Sequence, residues 1–149
     1  MQPESIRAIG LLDVGGAVVV GIVFILIMSL VREPARRHFN AIFVAGAGAA
    51  YFSGGFGPWE MVFTSVITAL AFKGLESYRW IGVAWLLHTV WDIAHHLWGE
   101  PIIYFDPTSS AGCAVADVII GLWFLADAPS VYGRWMPALA RNHDRLDAT

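Results

Sequence analysis

Residues 88–96, HTVWDIAHH, place three histidines and an aspartate within one short apolar stretch. If the stretch is helical, His88, Asp92, His95 and His96 fall within about a third of the helix circumference. The i, i+4 spacing lets an imidazole and a carboxylate chelate one metal ion, as in H-E-x-x-H zinc sites. The same groups could instead form His–Asp ion pairs that exchange protons. The stretch therefore predicts a metal site or a proton-transfer site.

Further carboxylates lie on neighbouring apolar segments. A carboxylate near the centre of a bilayer costs about 2.5–3.5 kcal/mol, so such groups are usually paired and functional. Asp117 is predicted at the depth of Asp92, whereas Glu60 and Asp13 are expected to line an outer mouth or to be solvated. The candidate catalytic groups are Asp92, Asp117 and Glu60. The candidate metal ligands are His88, Asp92, His95, His96 and Asp117, and the predicted cofactor is a divalent metal, Zn²⁺ or Fe²⁺.

The composition indicates an integral membrane protein. Of 149 residues, 57% are hydrophobic and only 14% charged, and the mean hydropathy is +0.61. These values are too apolar for an ordinary soluble domain. The nine Lys and Arg form no basic stripe, so nucleic-acid binding has no support. Cys113 is the single cysteine, which excludes an internal disulfide.

Five segments approach the roughly 20 apolar residues that a transmembrane helix needs. The predicted fold is therefore all-α, a polytopic membrane bundle in one domain, residues 1–133, followed by a polar cytoplasmic tail, 134–149. Gly99 and Pro101 give the expected stop after the fourth helix. Thr108, Ser109 or Ser110 is expected to cap the fifth. The predicted helices are residues 8–31, 39–56, 59–72, 80–98 and 110–128.

Orientation follows from the positive-inside rule. With five spans, eight of the nine Lys and Arg fall on the side of the C-terminus, and only Arg7 falls on the other. The N-terminus is therefore predicted outside and the C-terminus in the cytoplasm of a cell membrane, with a bacterial inner membrane expected. The lipid bilayer is one predicted partner. The other is a further copy of the chain in a homo-oligomer, or a larger membrane complex.

The motifs HTVWDIAHH and PTSSAGCAVAD resemble an uncharacterised family of small, chiefly bacterial integral membrane proteins, classed as a domain of unknown function. The similarity runs from about the second helix to Val131 and is most specific in helices four and five. It implies a compact helical membrane unit and no particular activity. In its chemistry the set of histidines and acids is also similar to membrane-embedded hydrolases of the ceramidase type, although this chain lacks their seven helices.

The leading functional hypothesis is a metal-dependent, hydrolase-like membrane enzyme that acts on a lipid or another amphiphile from the outer leaflet. One alternative is a component for proton, cation or small-solute transport. Another is an accessory subunit of a membrane complex, with haem bound by two histidines. Histidines on one helix face are poorly placed as opposite axial haem ligands.

Overall fold

A computed structural model describes residues 9–52 and 55–132 of the chain. Within these ranges the protein is all-helical, with five helices and no strand. The predicted polar tail, residues 134–149, lies outside the described residues. The helices are α1 (Leu11–Met28), α2 (Ala35–Gly48), α3 (Pro58–Gly74), α4 (Tyr78–Trp98) and α5 (Ser109–Leu125).

Helix α4 lies at the centre of the bundle and packs along α5, α3 and α2, while α1 packs on α5 and α2 on α3. The α4–α5 contact is close because two glycines face each other across it. A Cβ added at Gly82 would lie 2.9 Å from the backbone oxygen of Gly121 and 2.8 Å from Cγ of Leu125. Small residues at such a seam let two helix backbones approach each other. This seam sets the spacing between the polar side chains of α4 and those of α5.

Helix α1 is the one described helix that is both long and apolar enough to cross a membrane, with a mean hydropathy of 2.7 over Leu11–Met28. Its surface is largely open, since Leu11 is 92% and Leu12 is 91% exposed. Helix α5 is apolar but shorter. A helix with the length, composition and N-terminal position of α1 fits a membrane span and also fits a signal sequence.

The second helix differs most from its predicted bounds, 39–56. It begins four residues earlier, directly after Pro34, and it ends at Gly48. A Cβ at Gly48 would lie 2.7 Å from Ile67 Cγ2, and Thr64 Oγ1 donates to the Gly48 carbonyl at 2.7 Å. Helix α3 thus fixes the end of α2, and the chain turns away through short-range backbone bonds at residues 49–52. The hydrophobic pattern continues through this turn, which is why it predicts a longer helix.

Helix α3 begins where the chain geometry requires a glycine. Gly57 has φ 58°, a left-handed value that glycine adopts without steric cost, and Pro58 follows as the first helical residue. This start places Glu60 in the first turn of α3, with its side chain beneath α4. The predicted stop of α4 is confirmed, because Gly99 follows Trp98 as the C-cap.

The predicted cap of α5 is wrong. Thr108 is the N-cap residue, yet its side chain makes no capping hydrogen bond. The hydroxyls of Ser109 and Ser110 instead accept hydrogen bonds from the backbone of the preceding loop, from Ile103 N at 3.0 Å and Ile102 N at 3.2 Å. The serines therefore fasten the α4–α5 loop to α5.

Candidate functional site

Helices α4 and α5 bring His88, Asp92 and Asp117 together inside the bundle. His88 Nδ1 lies 2.9 Å from Asp117 Oδ2 and 3.2 Å from Asp92 Oδ2. All three residues are buried, and Asp92 is 0% exposed. His88 and Asp92 share a face because they are four residues apart in a helix. Asp117 reaches them because the glycine seam holds α5 close to α4. We refer to these three residues as the triad.

The backbone of α2 fixes the orientation of the His88 ring. His88 Nε2 lies 2.9 Å from the carbonyl oxygen of Ala47. A carbonyl oxygen only accepts, so Nε2 must carry the hydrogen and donate it. In the neutral ring, Nδ1 then presents a lone pair to the oxygens of both aspartates. Two acceptors cannot face a third at these distances unless a proton or a cation lies between them.

The triad has the donor set and geometry to hold a metal ion. Within residues 9–52 and 55–132, these three residues form the one group of at least three His, Cys, Asp or Glu whose ligand atoms all lie within 4.8 Å of one another. Neutral imidazole nitrogens and carboxylate oxygens are both ligands that divalent metals use in proteins. An N–H bonded to a backbone carbonyl is also the usual outer contact of a metal-ligating histidine. His88, Asp92 and Asp117 can therefore hold a metal ion.

A second buried pair lies one helical turn further along α4. His95 Nε2 is 3.2 Å from Glu60 Oε1, and Glu60 accepts hydrogen bonds from Trp91 Nε1 at 3.3 Å and from the backbone N–H of Phe56 at 3.2 Å. Glu60 is only 2% exposed. The expectation that it lines a mouth or is solvated is therefore wrong, because α4 and the turn before α3 cover it. We call Glu60 and His95 the second pair.

Aromatic rings surround the second pair and connect it to the triad. Tyr51 stacks on His95 with ring centroids 3.9 Å apart and an interplanar angle of 14°, and its ring lies 6.2 Å from that of His88. Phe56 and Trp91 flank His95 at 4.5 and 5.5 Å. Within the described residues, the Tyr51 hydroxyl and Asp92 Oδ1 are buried without a hydrogen-bond partner. These polar atoms leave hydrogen-bonding capacity for a water or a ligand between triad and second pair.

The structure separates the other predicted site residues from the triad. His96, at 80° from His88 around α4, lines an apolar cavity between α4 and α5 with Ile93, Thr89 and Val115. Asp13 is exposed and accepts a hydrogen bond from Gly10 N at 2.8 Å. The structure does not gather His95 and His96 with the triad, so their role as metal ligands stays a prediction.

Sequence reasoning missed the Ala47 carbonyl, because a backbone group leaves no mark in a residue pattern. The nearest signal is AGAGAA at 45–50, whose small residues let α2 approach its neighbours. The hydroxyls of Thr64 and Thr89 donate to backbone carbonyls, Thr64 to Gly48 and Thr89 to Trp85.

Fold and site together define a five-helix, all-α protein with a buried histidine–aspartate triad, within the part of the chain that the structure describes. The chain belongs to the DUF6010 family, a family of unknown function whose family model matches residues 12–130. The resemblance to a family of unknown function is thus confirmed, and the match begins within α1 instead of at the second helix. No curated protein and no solved structure matches the chain. The bacterial origin and the membrane location stay predictions.

Proposed function

We propose that this protein is a metal-dependent membrane enzyme of hydrolase type that acts on an amphiphilic substrate, with Zn²⁺ or Fe²⁺ held by His88, Asp92 and Asp117. The observation that carries the proposal is the arrangement around His88 Nδ1. Its lone pair faces two carboxylate oxygens at 2.9 and 3.2 Å, while Nε2 is committed to Ala47. A divalent cation compensates two buried carboxylates, whereas a proton on His88 compensates one. A divalent cation therefore matches the charge of the two carboxylates when both are ionised, which supports the metal assignment.

The surface of the helices supports a location in lipid. Monomeric soluble proteins rarely expose large contiguous apolar areas, yet here bulky apolar side chains are open on every described helix. Phe72 is 73% exposed and Trp98 is 75% exposed, at the ends of α3 and α4. Aromatic residues at helix ends are typical of membrane interfaces. Lipid around the bundle would cover these surfaces, as the sequence predicts.

The residues of the second pair supply the groups that a hydrolase needs beside a metal. When bound, the metal would act as a Lewis acid that polarises a carbonyl and lowers the pKa of a water molecule. Glu60 is placed to accept a proton and His95 to stabilise the pair, because the ring is stacked on Tyr51 and Glu60 is held by Trp91. The Tyr51 hydroxyl has an unused donor that can bind a substrate oxygen.

The packing below the triad favours an enzyme over a conduit. At the opposite end of the bundle, Asn40 Nδ2 donates to Arg36 O at 2.7 Å, and Arg36 Nη1 donates to Ala128 O at 3.0 Å. Between this polar end and the triad lie fully buried apolar side chains: Val44 on α2, Ile81 on α4 and Phe124 on α5. An apolar layer of this kind interrupts a proton or cation path.

Elemental analysis of the full chain purified in detergent micelles tests the proposal. We expect about one divalent metal per chain, lost in Asp117→Asn. Glu60→Gln is the matched control, since it neutralises another buried carboxylate that contacts a histidine and should leave the metal in place. Turnover of fluorogenic acyl-ester and acyl-amide lipids should fall by about 10²–10⁴ in Glu60→Gln, as for loss of a general base.

Either of two results would overturn this assignment. One is a wild-type protein that binds no metal after incubation with Zn²⁺ and, anaerobically, with Fe²⁺. The other is a metal content that Asp117→Asn leaves unchanged. Metal-independent proton uptake into proteoliposomes would favour the transport alternative.

A further inference from the structure

A groove runs between α1 and α5. Its volume is about 370 Å³, within the range of about 300–1,000 Å³ for small-molecule sites. We call it the α1–α5 groove. Its lining residues are Leu12, Asp13, Gly16, Ala17, Val20, Ile103, Asp106, Thr108, Ser109, Gly112, Cys113 and Ala116.

The charged lining residues of the groove are both acidic. Asp13 comes from the first turn of α1, and Asp106 comes from the loop that Ser109 fastens to α5. One oxygen of each carboxylate accepts hydrogen bonds. Asp13 Oδ2 accepts from Gly10 N, and Asp106 Oδ1 accepts from Thr108 N and Oγ1 at 3.0 Å. Because no lysine or arginine is among the described lining residues, the charge calls for a cationic ligand group.

The rest of the groove is apolar, and missing side chains create its space. A Cβ added at Gly16 or at Gly112 would meet no atom within 4 Å outside its own helix segment. Both glycines line the groove, and Ala17, Val20 and Ala116 continue the apolar lining. A charged mouth with an apolar channel behind it matches an amphiphile, with its head at the acids and its chain along the seam.

The groove also adjoins the triad. Ala116, in its lining, directly precedes Asp117, and Cys113 lies one turn before Asp117, about 40° away around α5. The lining of the groove and the triad therefore share one turn of α5.

We infer that the α1–α5 groove binds a single-chain amphiphile with an amine headgroup, and that this is the substrate class of the proposed enzyme. The assignment as a substrate rests on the proposed function, whereas binding to the groove rests only on its shape and charge. The amine would lie between Asp13 and Asp106, and the alkyl chain would pass Gly16 and Gly112.

Photo-crosslinking to the full chain in nanodiscs of uncharged lipid tests the inference. The probe is dodecylamine with a diazirine in its tail, and the matched probes are the dodecanol and dodecanoate analogues. We expect peptides from α1 and α5 to be labelled by the amine about tenfold more strongly than by the other two, since charge-assisted bonds are strong. Unlabelled dodecylamine should compete.

Glycine variants show whether the label enters the groove. Gly112→Leu and Gly16→Leu should each reduce labelling at least about tenfold by filling the channel. Gly15→Leu is the matched control, because Gly15 also has open space around it but does not line the groove. Asp13→Asn with Asp106→Asn should remove the preference for the amine and keep the helix and loop hydrogen bonds.

Equal labelling by the three probes, or labelling that Gly112→Leu and Gly16→Leu leave unchanged, would overturn the inference. Metal content measured on the same samples separates it from the proposed function. Binding of the amine to a protein without metal would keep the groove as a binding site and remove its role as a substrate site. Metal binding without amine labelling would refute the groove alone.

Discussion

The Gly82→Ala substitution tests whether the α4–α5 seam builds the triad. The new Cβ would lie 2.9 Å from the backbone oxygen of Gly121, about 0.5 Å inside the ordinary contact distance of 3.4 Å. A backbone atom of a packed helix cannot rotate away, so α4 and α5 must separate by several tenths of an ångström. Metal–ligand distances tolerate only about 0.2 Å. The metal affinity of the triad should therefore fall although none of its residues has changed.

Overpacking of this kind costs about 1–3 kcal/mol. The variant also gains helix propensity of about 1 kcal/mol from replacing glycine with alanine. Gly112→Ala is the matched control, since it makes the same exchange on α5 at a position with open space. The difference between the two variants isolates the clash. If the clash costs about 2 kcal/mol, the two variants should differ by about 6 °C in unfolding temperature.

Thermal unfolding in detergent micelles measures the stability of both variants, and titration with Zn²⁺ under a competing chelator measures the affinity. We expect Gly82→Ala to unfold at the lower temperature and to bind Zn²⁺ about 10–100-fold more weakly, as when an outer contact of a metal site is lost. If Gly82→Ala is as stable as Gly112→Ala, the seam is not tightly packed. Unchanged affinity in a destabilised Gly82→Ala protein would show that the seam does not set the triad geometry.

Three further predictions concern stability. Glu60→Ala should destabilise the protein by about 3 kcal/mol because it removes the carboxylate that lies 3.2 Å from His95 Nε2 and accepts from two partly buried N–H donors, whereas Glu60→Gln should cost less; equal unfolding temperatures would contradict this. Asn40→Ala should cost about 2 kcal/mol, while Ser65→Ala, which removes an exposed bond to an i−4 carbonyl, should cost almost nothing by the same measurement. Chelation should lower the unfolding temperature of the wild type but not of Asp117→Asn, and acidification should weaken metal binding because the ligands must be deprotonated; a chelator effect in Asp117→Asn would point to other ligands.

Helix number and type followed from the sequence because long apolar runs between glycine and proline breaks have few other solutions. The end of α4 was predicted correctly from Gly99 and Pro101. The end of α2 was not, because Gly48 is fixed by a contact with Ile67 on another helix. The predicted cap of α5 was wrong for the same kind of reason, since the hydroxyls of Ser109 and Ser110 bind the preceding loop.

Helical periodicity likewise predicted that His88 and Asp92 share a face, and the cost of burying charge predicted that Asp117 has a partner. Periodicity alone could not separate His95 from the triad, because His95 lies on the same face. His95 is separated from the triad because it pairs with Glu60, which the turn at Gly57 brings under α4.

The sequence by itself determined the helical class and the stretch of α4 that carries the polar groups, because these depend on composition and local spacing; the family was indicated by the resemblance of two motifs. Only the tertiary structure decided which groups meet. The Gly82–Gly121 contact sets the distance from His88 to Asp117, and the end of α2 places the Ala47 carbonyl that orients the ring. Both depend on how closely separate helices pack, and side-chain order along one helix does not specify that distance.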